Sequence, residues 1–316
     1  MKNITASILI SNFNHSKFLN RCLDSIVNQT RTPDEVIIID DYSTDNSRDI
    51  LKEYASNYEF IKIIFNNNNL GPVANANTLI RLSSSDYIIM TGADDFLKED
   101  YLEKSLNLLR NNPYAGLCAS LPGYIEDGSD VVKLNKKYYI PNTDKSSGYV
   151  EPKKLLKLLK NRNFNINGNT CILKRNACIE FNMLDENLKW HSDFLLYYAI
   201  AGKYGICFVP EIISIYRSSN NSYSSKKYLV NDKVNIIIKI LDALDNPPFS
   251  EVKLFFKSSG ILAGMPGKFG IPGIFFVFIL NRKYWKYFTF SLLRHLIKGV
   301  VICMWVKIKI HDIKDK

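Results

Sequence analysis

Apolar positions alternate between two rhythms along the first hundred residues. Residues 6–10 form a short apolar run that reads as a buried strand, ended by the polar turn Ser11-Asn12-Phe13-Asn14. Apolar residues then recur at Phe18, Leu19, Cys22, Leu23, Ile26 and Val27. Spacings of three and four predict a helix with one buried face. Pro33 marks a boundary, and residues 36–39 are a continuous β-branched run, as expected of a parallel strand covered on both faces. The cycle repeats with a helix around Ile50, Leu51, Tyr54 and Ala55, a strand at 61–65, a turn at 66–71, a helix at 73–82 and a strand at 87–90. Strand and helix in strict alternation predict an open α/β fold with a mostly parallel, Rossmann-like sheet flanked by helices.

The rhythm loosens afterwards. A helix is expected at 100–110, an irregular excursion at 121–150, a helix at 155–159 and a strand at 170–173. A helix over 194–201 should end at Gly202, followed by two short strands at 206–209 and 212–216. Beyond about residue 221 the character changes. Residues 228–244 read as a helix broken by Asn246-Pro247-Pro248, and 271–280 and 288–306 are strongly apolar but interrupted or flanked by Arg282, Lys283, Lys286, Arg294 and Lys298. These runs fall short of the roughly 20 residues a spanning helix needs. Two readings stay open: segments lying in a membrane interface, or helices packed on the main domain. The expected division is residues 1–222 as one domain, with halves 1–100 and 101–222, and 223–316 as a helical, basic, apolar C-terminal extension.

Composition adds a compartment and a partner. The chain of 316 residues carries a formal charge of +10, and an excess of about nine positive charges falls in 251–316. Such asymmetry calls for an anionic partner, and the apolar content of the same stretch favours an anionic membrane surface over nucleic acid. The six cysteines show no C-x-x-C pair or zinc spacing and read as reduced thiols of a cytoplasmic protein. The opening residues do not have the form of a secretory leader. The expected location is cytoplasmic, peripheral on the inner face of the plasma membrane.

Candidate chemistry lies where strands stop. Asp40-Asp41 ends the second strand and Asp94-Asp95 follows the fourth. In open α/β sheets ligands bind beyond the carboxyl ends of the strands. Adjacent carboxylates repel and raise each other's pKa unless a cation or hydrogen-bond donors offset the cost. Asp94-Asp95 suits a hard divalent ion, Mn²⁺ or Mg²⁺, shared with phosphate oxygens of a ligand. Asp40-Asp41, with Ser43 and Asp45, suits a base or ribose. Either pair alone could simply cap the next helix; two pairs at one sheet edge favour a site.

The residues in order resemble the family 2 glycosyltransferases, whose fold is GT-A, over roughly residues 5–222. Ser11-Asn12-Phe13-Asn14 is similar to the opening strand's end, where an aromatic residue lies near the nucleotide base. Residues 38–45 resemble the D-D-x-S-x-D segment, and Asn69, Gly71 and Asn77 resemble an N-x-G…N segment. Residues 88–95 resemble the D-x-D-like metal motif. The resemblance implies a nucleotide site of Ser11, Phe13, Asn14, Asp40, Asp41, Asn69, Gly71, Asn77 and Asp94, and a metal site of Asp95 and Asp94. Residues 184–193 resemble the segment carrying the catalytic base, which would be Asp193, acting on a saccharide or lipid-linked acceptor hydroxyl with inversion at the anomeric carbon. The donor implied is a nucleotide-sugar, UDP-linked, in cell-surface polysaccharide or glycolipid synthesis.

The chain departs from the family pattern in three places. Gly92 replaces the first acid of the metal motif, Ala76 replaces an arginine before Asn77, and Ser219 occupies the place of a metal-binding histidine. His191, beside Trp190, could substitute as a metal contact or could shape the acceptor pocket. No Q-x-x-R-W segment occurs, so non-processive transfer is expected. A nucleotidyltransferase would need a Gly-rich basic phosphate loop, which 11–17 does not offer. A degenerate protein that binds a nucleotide-sugar without turnover is the other alternative, against which Asp193 speaks.

Overall fold

The computed structural model describes residues 3–135, 148–161, 164–218, 230–262 and 282–287. The chain divides into two compact units, Met1–Lys226 and Lys227–Lys316. The apolar segments at 271–280 and 288–306, and Ser219, lie outside the described residues.

In the first unit β1 (Ala6–Asn12), α1 (Ser16–Val27), β2 (Glu35–Asp40), α2 (Ser47–Asn57), β3 (Ile61–Phe65), α3 (Pro72–Leu82) and β4 (Tyr87–Gly92) realise the predicted alternation. β5 (Phe96–Leu97), α4 (Tyr101–Asn111), β6 (Leu117–Glu126), β7 (Lys133–Leu134), β8 (Gly148–Val150) and α5 (Pro152–Lys160) follow. β9 (Ile172–Lys174), α6 (Arg175–Glu180), α7 (Ser192–Tyr204) and β10 (Ile206–Ser218) complete it. The sheet runs in the order β3-β2-β1-β4-β9-β6-β10-β5, with β7 beside β6 and β8 beside β10. Strands β3, β2, β1 and β4 are mutually parallel, β10 is parallel to β6, and β9 runs antiparallel between β4 and β6. The fold is therefore α/β with a mostly parallel sheet, as the alternation predicts.

Both faces of β2 are buried, which explains its unbroken apolar run. Leu19, Leu23 and Ile26 of α1 and Leu102 and Leu106 of α4 pack with Ile8, Ile10, Ile38 and Ile89 of the sheet. The chain goes from β1 to β2 on one side and later places β4 on the other, so a crevice opens past the ends of β1 and β4. Pairing sets Asn12 opposite Asp40 and Ser11 opposite Gly92.

Three local expectations are corrected. The irregular excursion at 121–150 begins inside β6, which continues to Glu126. The two short strands at 206–216 are one strand, β10, whose pairing slips between Val209 and Ile212. Pro210 lies there, and a residue without an N–H cannot donate to the ladder. α7 passes through Gly202 and stops at Gly205, where φ is +72° and a Cβ would lie 2.6 Å from the Val150 carbonyl oxygen.

The second unit contains α8 (Val230–Ala243) and α9 (Lys253–Ser259), with a 3-10 turn at Arg282–Tyr287. Asp245 takes Lys253 at 2.6 Å, Lys286 at 2.5 Å and the Tyr287 hydroxyl at 2.6 Å. Burial opposes its charge, but these donors hold its carboxyl well below the usual range. Asp242 pairs with Lys283 and Tyr284. Among the described residues no helix is long and apolar enough to cross a membrane. Cys22, Cys118, Cys171, Cys178 and Cys207 are buried free thiols.

Candidate active site

Asp94 and Asp95 follow directly on the end of β4. A Cβ placed on Gly92 would lie 2.8 Å from Asp94 Oδ1 and 3.2 Å from Asp95 Oδ2, so both carboxylates turn into the space that this glycine leaves vacant. Asp95 Oδ1 accepts the backbone N–H of Arg217 at 2.9 Å. Burial and the neighbouring charge of Asp94 nevertheless push the Asp95 carboxyl well above the usual carboxylate range. Beneath the pair, the Cys22 thiol donates toward the Gly92 carbonyl at 3.6 Å, its pKa driven up by burial and by Asp95 and Asp94. Two carboxylates converging at this cost fit a divalent cation that would offset their repulsion. Among the described residues no group of three or more His, Cys, Asp and Glu is placed to hold a metal.

The ends of β1 and β2 make the neighbouring wall. Phe13 is 44% exposed in the turn after β1. Asn14, at φ +56°, accepts the Thr44 N–H at 2.8 Å and ties that turn to the one after β2. Asp40 is fully buried: Arg48 Nε at 2.9 Å, Asn12 Nδ2 at 2.9 Å and the Ser43 N–H at 3.1 Å occupy its carboxylate. Its carboxylate thus joins Ser43, Asn12 and Arg48. Asp41 accepts the N–H groups of Leu70 at 2.8 Å and Gly71 at 2.9 Å and the Asn66 amide at 2.8 Å. Burial works against its charge, but these donors outweigh it and hold the carboxyl below its usual range. The network continues from Asn66 to Asn75 at 2.9 Å and from Asn75 to Ser11 at 3.2 Å. Asn69 is exposed one residue before Leu70, and Gly71 supplies φ +85° with open space where a side chain would stand.

Asn77 lies away from this wall, 6% exposed, exchanging two hydrogen bonds with the Leu184 backbone at 2.8 and 3.0 Å. These bonds tie α3 to the segment that leads to Asp193. Along that segment Lys189 adopts φ +53°, ψ −130°, a strained conformation for a side-chain-bearing residue. His191 is 2% exposed, and the side chain of Trp190 lies outside the description. Asp193 is exposed in the first turn of α7, where its Oδ1 accepts the Phe194 N–H at 2.6 Å. A Cβ on Gly168 would meet Asp193 Oδ2 at 2.8 Å. The turn Gly168–Thr170 also lies beside β4, the strand that leads to the acidic pair.

Sequence reasoning missed the turn Gly168–Thr170, which lies beside Asp193, and Asn66, Asn75 and the backbone of Arg217. The asparagine-rich run 66–69 was a visible signal for the second of these. The turn carried none, because its place at the ligand edge depends on β9 being antiparallel.

Against a poly(ribitol-phosphate) beta-glucosyltransferase of Bacillus spizizenii the identity is 34% over 141 residues, 44% of this chain and 22% of that protein. The chain spans less than half the length of each of the first curated relatives it matches. A Bacillus subtilis protein provisionally named a teichuronic acid biosynthesis glycosyltransferase is 26% identical over 243 residues, 75% of this chain and 88% of its own. The crystal structure of residues 1–349 of Staphylococcus aureus TarS in complex with UDP-GlcNAc shares the fold, with a TM-score of 0.65 and 15% identity, covering 94% of this chain and 79% of that one. The sequence model of Glycosyl transferase family 2 matches residues 7–180, more than half of the chain, and the protein belongs to that family.

Proposed function

We propose that this protein transfers a sugar from a UDP-linked donor to a hydroxyl of a saccharide or lipid-linked acceptor, with inversion at the anomeric carbon. The observation that carries this reading is the convergence of Asp94 and Asp95 over Gly92 after β4, with Asp193 against Gly168 in the turn that lies beside that strand. Phe13 would lie against the base, and the frame built by Asp41, Asn66, Asn75 and Ser11 would shape the nucleoside pocket. Asp94 and Asp95 would hold a Mn²⁺ or Mg²⁺ ion together with the diphosphate; the ion, when bound, supplies charge to stabilise the leaving group. Asp193 would accept the proton of the acceptor hydroxyl as its oxygen attacks the anomeric carbon. The site faces the carboxyl edge of the sheet, and the half at 101–222 would contribute the acceptor side.

The names of the relatives support a role in polysaccharide or other cell-surface glycan synthesis. The basic, apolar composition of 251–316 supports attachment to the inner, anionic face of the plasma membrane. A panel of nucleotide-sugars, each tested with Mn²⁺, Mg²⁺ or EDTA for thermal stabilisation and for release of the nucleoside diphosphate, tests the reading. Metal-dependent stabilisation and turnover by one UDP-sugar is expected; stabilisation by none of the panel would exclude a donor site of this kind.

A further inference from the structure

Tyr124 and Tyr216 stand side by side near the carboxyl ends of β6 and β10, outside both acidic motifs. They are partners in the parallel register of these strands, and their rings stack with centroids 5.9 Å apart and planes at 29°. Asn135 Nδ2 donates to the Tyr216 hydroxyl at 2.5 Å, and the Asn135 N–H donates to the Pro122 carbonyl at 3.0 Å, so the tip of the ring is held as well as its base. Alternation along β10 fixes which way the pair faces. Ser214, two residues earlier, donates its hydroxyl to the Asn169 carbonyl at 2.6 Å, in the turn whose Gly168 lies against Asp193. Arg217, on the opposite face, lies over the Phe18 ring of α1 at 4.0 Å, while its N–H meets Asp95 Oδ1 at 2.9 Å. Tyr216 therefore shares the face of Ser214, about 7 Å further toward the ligand edge, between the backbone that meets Asp95 and the turn beside Asp193. Cross-strand aromatic pairs steady a sheet wherever they occur. This one stands where the strands end, and both residues remain partly exposed.

An aromatic platform in that place suits a sugar. A pyranose with equatorial hydroxyls turns its axial C–H bonds to one face, which is apolar, and keeps its hydroxyls at the rim. Laid on an aromatic ring, that face leaves water while the hydroxyls stay available for hydrogen bonds. An acyclic polyol has no such flat apolar face. We propose that Tyr124 and Tyr216 form the acceptor subsite, taking the apolar face of a pyranose ring whose hydroxyl is presented to Asp193, so that the acceptor is a glycoside and not an acyclic polyol. This rests on reading Asp193 and the Asp94–Asp95 pair as a sugar-transfer site.

Saturation-transfer NMR on the full chain with UDP and MnCl₂ tests this. The probes are methyl β-D-glucopyranoside, methyl β-D-galactopyranoside and methyl N-acetyl-β-D-glucosaminide, with ribitol as the acyclic counterpart. At least one glycoside should bind, its axial ring protons the most strongly saturated, and ribitol should not. Tyr124→Ala should weaken that glycoside about 3- to 10-fold and Tyr124→Phe should restore it, while UDP affinity by calorimetry stays within about twofold of wild type in both. Full glycoside affinity in Tyr124→Ala, or ribitol bound as well as any glycoside, would overturn the subsite. A wild-type chain that binds UDP but no glycoside would overturn it too and leave the donor reading standing. No UDP binding by the wild-type chain would strike the donor reading, and this proposal with it. Loss of UDP and glycoside together in Tyr124→Ala would mean that the ring only supports the fold, which also refutes the subsite. Tyr124→Leu, apolar but without a ring face, gives the same reading if the alanine variant does not fold.

Discussion

At the scale of single residues, the site separates groups that face solvent from groups that hold them in place. Asp193, Phe13 and Asn69 are exposed at the carboxyl edge, whereas Asp40 and Asn77 are buried and engaged by protein partners. In a sequence the two kinds look alike, since a polar residue at a strand end can meet a ligand or an adjacent loop. Nothing in the sequence showed that Arg48 and the Leu184 backbone would pair with the side chains of Asp40 and Asn77. Asp193 is where the chemistry should fail first. Asp193→Asn should lower transfer by about 10² to 10⁴-fold while leaving UDP binding nearly unchanged. Full turnover by that variant on the acceptor would falsify the base assignment.

Secondary elements show which sequence signals carry over distance. The alternation of β1 to β4 was legible because period and length agree with burial on two faces. β9 was not legible as antiparallel, since three residues cannot declare a direction. Its reversal brings the turn before it to the edge where the parallel strands end. Two ties between elements are testable. Asp45 accepts the N–H of Ser16 at 2.9 Å and of Ser47 at 3.0 Å, joining the starts of α1 and α2. Burial disfavours its charge, yet these bonds draw its pKa down to about 2. A carboxyl depressed below its unfolded value of about 3.9 adds stability above that pH and loses it as pH falls toward 2. Asp45→Asn should therefore flatten the pH dependence of the unfolding midpoint between about pH 4 and pH 2; an unchanged slope would show that the tie carries no charge dependence. Asn77→Ala should cost about 2 to 4 kcal/mol in denaturant unfolding, because it strips partners from a buried N–H and C=O of Leu184. A loss under about 0.5 kcal/mol would mean that the segment holds its course without the tether.

For the whole molecule, the sheet accounts for the ligand edge and the charge distribution for the membrane proposal. The excess of about nine positive charges at 251–316 was plain in the sequence, but the pairing of part of it was not. Lys253, Lys283 and Lys286 are engaged by Asp245 and Asp242. Deleting 251–316 should release the protein from vesicles containing anionic lipid, and binding by the full chain should weaken as salt rises. Equal sedimentation of both forms with such vesicles would refute the attachment.

Gly92 has an implication for how this site could change over descent. The position that in many family members carries another acid is here filled by the side chains of its own neighbours. A mutation restoring that acid would set its Cβ 2.8 Å from Asp94 Oδ1. Gly92→Asp alone should therefore displace a carboxylate before it could add one, and Mn²⁺-dependent UDP binding should weaken. The glycine thus gives the two carboxylates room that any side chain at this position would make them share.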